Sequence, residues 1–299
     1  MTKKLVEGVF SAVVTPRDEN GNLSESGLQT WLDYLVDRGI RGFAINGATG
    51  EFPLTSADEL KRILKVVSGV LNGRAEFMVG VGAGDVKTTC RLGDIAIEAG
   101  AKGLLLPVPG FFPYAQDDVV SFVRAVANSL RAPILLYNLP QFTTGIHPQS
   151  TLELVSQCEN IVGIKDSSGS LDTLRLLRDE CPEACRVVGN DGALPAALNE
   201  GLADGVISGV ACVLPALIQG MFENGARGIV SDAMLSALDQ FIRQLDTLPT
   251  PWGLKVIGEA LGIAKASFPF PLSERRQLQR EEMTEWFSQY NTALSAIVS

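Results

Sequence analysis

Asn160-Ile161-Val162-Gly163-Ile164-Lys165-Asp166 is the stretch that decides the fold. Ile161 to Ile164 form a run too short for a helix and without a polar alternate. That pattern marks a strand covered on both faces. Working outward, similar runs recur at PILLYN (133–138) and GLLLP (103–107) upstream, and at RVVGN (186–190) and DGVIS (204–208) downstream. Further upstream, FMVGV (77–81), GFAIN (42–46) and GVFSAVVT (8–15) complete a set of eight. Seven helix-like stretches separate them. Ser24 opens the first of these, where Leu28, Trp31, Leu32, Leu35 and Val36 fall on one stripe and Gly39 ends it. Ser56 and Glu59 read as a capping box at the head of the second.

Gly39-Ile40-Arg41-Gly42, Gly100-Ala101-Lys102-Gly103 and Gly201-Leu202-Ala203-Asp204-Gly205 each set a helix-ending glycine just ahead of a strand, a faint echo of repeated units. Eight such units predict an α/β fold, a closed (β/α)8 TIM barrel. An open doubly wound sheet would usually carry a Gly-rich fingerprint on its first turn, and GVFSAVVTPRDENG has none. After Ser208 the strands stop, and residues 213–224, 228–246, 252–264 and 273–297 read as helices. The expected organisation is a barrel over 1–224 and a C-terminal helical extension of the same domain over 225–299, with no linker between them.

The 299 residues carry a net charge of −9, and no cluster of Lys and Arg stands against it. Neither nucleic acid nor an anionic membrane surface is an expected partner. Cys90, Cys158, Cys181, Cys185 and Cys212 lack the spacing and the histidines of a zinc set, and they read as reduced thiols. MTKKLVEGVF has no long apolar core, and no stretch reaches membrane-spanning length, so the expectation is a cytoplasmic protein.

Barrel chemistry sits at the carboxyl ends of the strands, which turns the strand set into a short set of candidates. Lys165 is the sharpest. It ends an apolar strand, where desolvation disfavours an ammonium, and an amine nucleophile needs its free lone pair. From position alone, an ion pair with Asp166 or a neighbouring carboxylate at the rim accounts for it equally well. Lys102 lies at the wrong end of its strand, and Lys61, Lys65 and Lys87 lie on helices. Tyr137 ends the preceding strand and can face the same cavity as a proton shuttle, or be a core aromatic. Gly47-Ala48-Thr49-Gly50-Glu51 is a Gly-punctuated turn whose N–H groups can cradle a carboxylate. Ser167, Asp191, Ile207 and Ser208 stand at the ends of strands six to eight as substrate contacts, with helix capping the competing role for Asp191 and Ser208. His147, the single histidine, reads as a loop residue, which excludes a His-based triad.

Together, Gly47-Ala48-Thr49-Gly50-Glu51, Tyr137-Asn138-Leu139-Pro140, Gly163-Ile164-Lys165-Asp166-Ser167-Ser168-Gly169 and Gly205-Val206-Ile207-Ser208 resemble the dihydrodipicolinate synthase / N-acetylneuraminate lyase family of class I aldolases over roughly residues 6–215. The resemblance implies a pyruvate-type Schiff base on Lys165, Tyr137 as proton shuttle and the 2-keto acid carboxylate at Ala48 and Thr49. It also implies no metal or organic cofactor and a homo-oligomer, a tetramer or dimer, acting on a small 2-keto acid and an aldehyde.

Departures from the family pattern bear on the substrate. Dihydrodipicolinate synthases usually carry two threonines in the strand-two turn, and here the first is Ala48. They carry an arginine after the Tyr-Asn-x-Pro motif, and here the loop reads Gln141-Phe142-Thr143-Thr144-Gly145. Their tyrosine pair after strand four corresponds to Phe111 and Phe112, with Tyr114 near. Sialate lyases often place a glutamate after the strand-seven Asp, and here it is Gly192. The leading expectation is therefore an aldolase or dehydratase of another 2-keto acid, such as a 2-keto-3-deoxy sugar acid. The first alternative is 4-hydroxy-tetrahydrodipicolinate synthase. The second is a non-catalytic 2-keto-acid-binding protein, against which the presence of both Lys165 and Tyr137 argues.

Overall fold

The computed structural model describes residues 4–298. Met1 to Lys3 of the N-terminal stretch, on which the targeting expectation partly rested, lie outside the described residues. Eight parallel strands close into a barrel in chain order: β1 (Gly8–Ala12), β2 (Gly42–Ile45), β3 (Glu76–Gly80), β4 (Gly103–Pro107), β5 (Ile134–Asn138), β6 (Ile161–Asp166), β7 (Cys185–Val188) and β8 (Gly205–Ser208). β1 pairs with β8 through Gly8↔Gly205 to Ser11↔Ser208, and that pairing shuts the ring. The TIM barrel expected from the strand set is the observed fold.

Two separate apolar clusters explain why the strands read as unbroken apolar runs. Phe10, Ala44, Met78, Leu105, Leu135 and Val187 fill the barrel interior. Leu104, Leu106, Ile134, Leu136, Ile164 and Val188 point outward and pack under the helices. Each strand thus buries both faces, and each fully buried Leu or Ile contributes about 1.5–3 kcal/mol. The two-residue alternation also sets which side chains enter the mouth. On β5, Leu135 and Tyr137 are inside while Ile134 and Leu136 are outside.

Gly163 occupies the same inward parity one layer below Lys165, with φ of 153°. A Cβ there would lie 2.0 Å from the Cys185 carbonyl oxygen, so β6 and β7 can run this close only with glycine at this position.

Seven helices lie between the strands, from α1 (Glu25–Asp37) to α7 (Leu194–Asn199), and α8 (Pro215–Gly225) completes the outer ring. The α1 stripe is buried as expected, and Trp31 Nε1 donates to the Cys212 carbonyl at 2.9 Å, tying α1 to the segment that leads into α8. The capping box of α2 (Ala57–Leu71) is only half formed. Ser56 Oγ accepts from Glu59 N at 3.1 Å, but the Glu59 carboxylate turns to a bidentate pair with Arg17 at 2.6 and 3.0 Å. An arginine within reach outcompetes the backbone amide, because two charge-assisted bonds outweigh one neutral donor.

Beyond the ring come α9 (Asp232–Leu245), α10 (Trp252–Ala260) and α11 (Glu274–Val298). Phe241 of α9 packs against Trp286, Phe287 and Tyr290 of α11, and the Tyr290 hydroxyl donates to the Ala237 carbonyl at 2.9 Å. Among the described residues no helix is long and apolar enough to cross a membrane.

Candidate active site

A cavity of 330 Å³ opens at the carboxyl ends of the strands. Lys165 and Tyr137 are paired neighbours in the β5–β6 register, which points both side chains into it. The lysine is 3% exposed, and its Nζ donates to the Tyr137 hydroxyl at 2.9 Å. Nζ also sits 4.0 Å from the centre of that ring. The rim ion pair weighed from sequence is not formed. Asp166 faces the other way, its Oδ1 accepting from Asn138 Nδ2 at 3.2 Å and from Ser168 N at 2.8 Å. Among the described residues Lys165 makes no ion pair, so its one polar contact is the phenol.

Ala48, Thr49, Ser167, Asp191 and Ile207 line the same cavity. Among the described residues, the Ala48 and Thr49 amides donate to no protein acceptor, while Glu51 N bonds the Ala48 carbonyl at 3.0 Å and Phe52 N the Gly47 carbonyl at 3.2 Å. The turn is closed by its own later residues, and the Ala48 and Thr49 amides at the cavity wall are left without a protein acceptor. Ser167 Oγ and Asp191 Oδ1 are buried without a hydrogen-bond partner, an arrangement that a polar ligand would satisfy. Asp191 Oδ2 accepts from Val210 N at 3.2 Å. Burial pushes the Asp191 carboxyl above the ordinary range, against the pull of Ser208, the Val210 amide and the Lys165 charge.

Two sequence candidates do not reach the cavity. Ser208 is fully buried, and its Oγ accepts from Ala211 N at 2.8 Å, so it caps the turn after β8. Its strand neighbour Ile207 takes the inward side, and the alternation turns Ser208 away. Gly50 lies behind the wall, where its carbonyl accepts from Thr15 Oγ1 at 2.9 Å. In this structure both stand behind the cavity wall, where their observed contacts brace the turns around it.

Several lining residues carried no sequence signal of their own. Gly189 follows β7, and a Cβ there would meet Ser167 Oγ at 2.2 Å and Lys165 Cε at 2.8 Å, so glycine makes room for the lysine stem. Gln141 Nε2 donates to the Ser167 carbonyl at 2.8 Å and pins the loop after β5 over β6. Ile242, Leu245, Asp246 and Pro249 to Pro251 come from α9 and the segment after it and roof the cavity. Among the described lining residues Lys165 is the one Lys or Arg. No group of His, Cys, Asp or Glu among the described residues is placed to hold a metal ion.

A buried lysine beside a phenol, at the carboxyl ends of the strands of a closed parallel barrel, marks a barrel enzyme. A family model described as the dihydrodipicolinate synthetase family matches residues 5–290, and the chain belongs to that family. It is 28% identical over 284 residues to the 4-hydroxy-tetrahydrodipicolinate synthase of Bacillus subtilis (strain 168), covering 94% of this chain and 98% of that one. The synthase of Nitrosospira multiformis is 31% identical over 296 residues, covering 95% of this chain and 97% of the relative. Among solved structures, dihydrodipicolinate synthase from Aquifex aeolicus superposes with a TM-score of 0.88 at 25% identity, over 95% of this chain and 98% of that one. The chain is therefore an enzyme of the pyruvate-dependent class I lyase type.

Proposed function

We propose that Lys165 forms an imine with pyruvate or a related 2-keto acid and that the enzyme makes or cleaves a carbon–carbon bond next to it. The observation that carries this is the Lys165 Nζ–Tyr137 hydroxyl contact of 2.9 Å at the floor of the cavity. The amine attacks the keto carbon, and the carbinolamine expels its oxygen as water after protonation. The resulting cationic imine withdraws electrons from the neighbouring carbon, which loses a proton to give an enamine nucleophile. Tyr137 is placed to carry the protons of the first two steps. The Ala48 and Thr49 amides supply two donors for the keto acid's carboxylate, and Ser167 and Asp191 face the second substrate.

For that second substrate, the relatives' names support aspartate semialdehyde and hence 4-hydroxy-tetrahydrodipicolinate synthesis. This moves the alternative of the sequence analysis ahead of the sugar-acid reading. A neutral, hydroxylated aldehyde remains a second reading because of one observation. The lining holds the acids Asp191 and Asp246 but no cation besides Lys165. A coupled assay with both aldehydes decides between them. If the synthase reading holds, product forms from pyruvate and aspartate semialdehyde. Its kcat/KM is expected to lie about ten- to hundredfold below that of a synthase with an arginine after its Tyr-Asn-x-Pro motif, the worth of one missing charge-assisted bond. Turnover of glyceraldehyde with none of the semialdehyde would remove the synthase reading.

Support for a single domain comes from the tail itself, whose residues 242–254 complete the cavity. The homo-oligomer belongs to the same proposal, supported by Phe111 and Phe112, which stand 95% and 61% exposed in the segment after β4. Small-molecule substrates and a cytoplasmic setting complete it.

A further inference from the structure

α10 carries a buried charge that the chemistry described so far does not use. Lys255, in the apolar Trp252–Ala260 helix, is 2% exposed. Its Nζ donates to Glu51 Oε2 and, at 3.0 Å, to the Ser267 carbonyl. Glu51 is itself buried and closes the Gly47–Glu51 turn in a left-handed conformation, φ 56° and ψ 46°. That backbone is disfavoured for a residue with a Cβ and persists only where surrounding contacts over-determine it. Two charges withdrawn from water are also costly unless each finds a well-placed partner. A hydrophobic pair would hold α10 on the barrel without the desolvation cost, which makes stability alone a poor reason for this arrangement.

The geometry supplies another reason. Glu51 N bonds the Ala48 carbonyl, so the residue that Lys255 grips is the one that closes the loop around the free Ala48 and Thr49 amides. Ser267 accepts from Lys255 through its carbonyl and from Arg17 N through its Oγ at 3.1 Å, so the anchor is held from two sides. We infer that Lys255 is a positioning residue for the keto acid: acting through Glu51, it holds the strand-two turn in the shape that aims two amides at the substrate carboxylate. Burial lowers the Lys255 ammonium from the usual lysine range, and the Glu51 charge opposes that fall. This inference rests on the reading that the turn receives the 2-keto acid carboxylate.

The test follows borohydride trapping of pyruvate on Lys165 together with steady-state kinetics. For Lys255→Met, the pyruvate concentration giving half-maximal trapping and the pyruvate KM should both rise about tenfold, the worth of one misaligned charge-assisted contact. kcat and the aldehyde KM should stay within about threefold, since the amine and phenol are untouched. Glu51→Gln, which keeps the shape and removes the charge, should raise the same two quantities. The double variant should be no worse than Lys255→Met, as expected for two residues acting as one unit. Lys255→Arg should recover much of the loss. A general structural role would lower kcat and shift both KM values together. An unchanged pyruvate half-saturation in Lys255→Met overturns the inference, and if that variant does not fold, an unchanged value in Glu51→Gln overturns it instead. Failure of the wild-type enzyme to trap pyruvate at all is the separate result that removes the underlying reading.

Discussion

Lys165→Met is expected to abolish turnover, with a loss exceeding the roughly 10²–10⁴ that one positioned acid–base group supplies. The reason is chemical rather than positional. Without an amine no cationic imine forms, and the remaining groups offer nothing that takes up the electron pair released beside the keto carbon. Met matches the length of the lysine stem, which runs past Gly189 with no room to spare. It also breaks no ion pair, because Lys165 makes none among the described residues. Thermal unfolding should therefore remain cooperative and no less stable than wild type. Residual activity above a tenth of wild type in the purified variant would rule out a covalent role for Lys165.

Tyr137→Phe is expected to lower kcat by about 10² to 10⁴ while leaving the fold and the pyruvate half-saturation nearly unchanged. The ring stays packed in the barrel interior, and only the oxygen 2.9 Å from Lys165 Nζ is lost. That oxygen stands where a proton must reach the carbinolamine before water can leave. The defect should thus show in the rate of imine formation as well as in turnover, which single-turnover mixing with pyruvate separates. Wild-type rates in both phases would return Tyr137 to the role of a core aromatic.

Much of this site was legible because barrel strands have a period of two and an end where chemistry collects. Counting by twos from Leu135 reaches Tyr137, and from Gly163 it reaches Lys165 and then Ser167. The same count from Val187 reaches Gly189. Applied to β8, it gives Ile207 to the cavity and turns Ser208 outward, so the same period separates these two candidates. Gly50 was harder, since a turn has no period to count along. The roof was not legible at all. Ile242 and Leu245 show only that α9 has an apolar face, and a helix pattern does not say which surface that face covers. Lys255 gave less still. Its partner Glu51 lies 204 residues away in the chain, and a lone lysine in an apolar helix reads as solvated until the fold brings the acid to it.

The sugar-acid expectation yields first place to its alternative for a different reason. It leaned on what was missing, namely the arginine after Tyr137-Asn138-Leu139-Pro140 and the second threonine at Ala48. The relatives share the overall pattern strongly enough to favour the synthase name. The structure sharpens that tension into a definite electrostatic statement: an anionic aldehyde meets two acids and no cation besides Lys165 among the described lining residues.

If Lys165 is the covalent nucleophile, reduction traps pyruvate on it. Purified enzyme is incubated with pyruvate and borohydride, weighed intact, then digested and sequenced by mass spectrometry. One added pyruvate-derived group per chain is expected, located on Lys165 and absent when either reagent is withheld. An unmodified chain, or an adduct on Lys255, Lys102 or any other lysine, would contradict it.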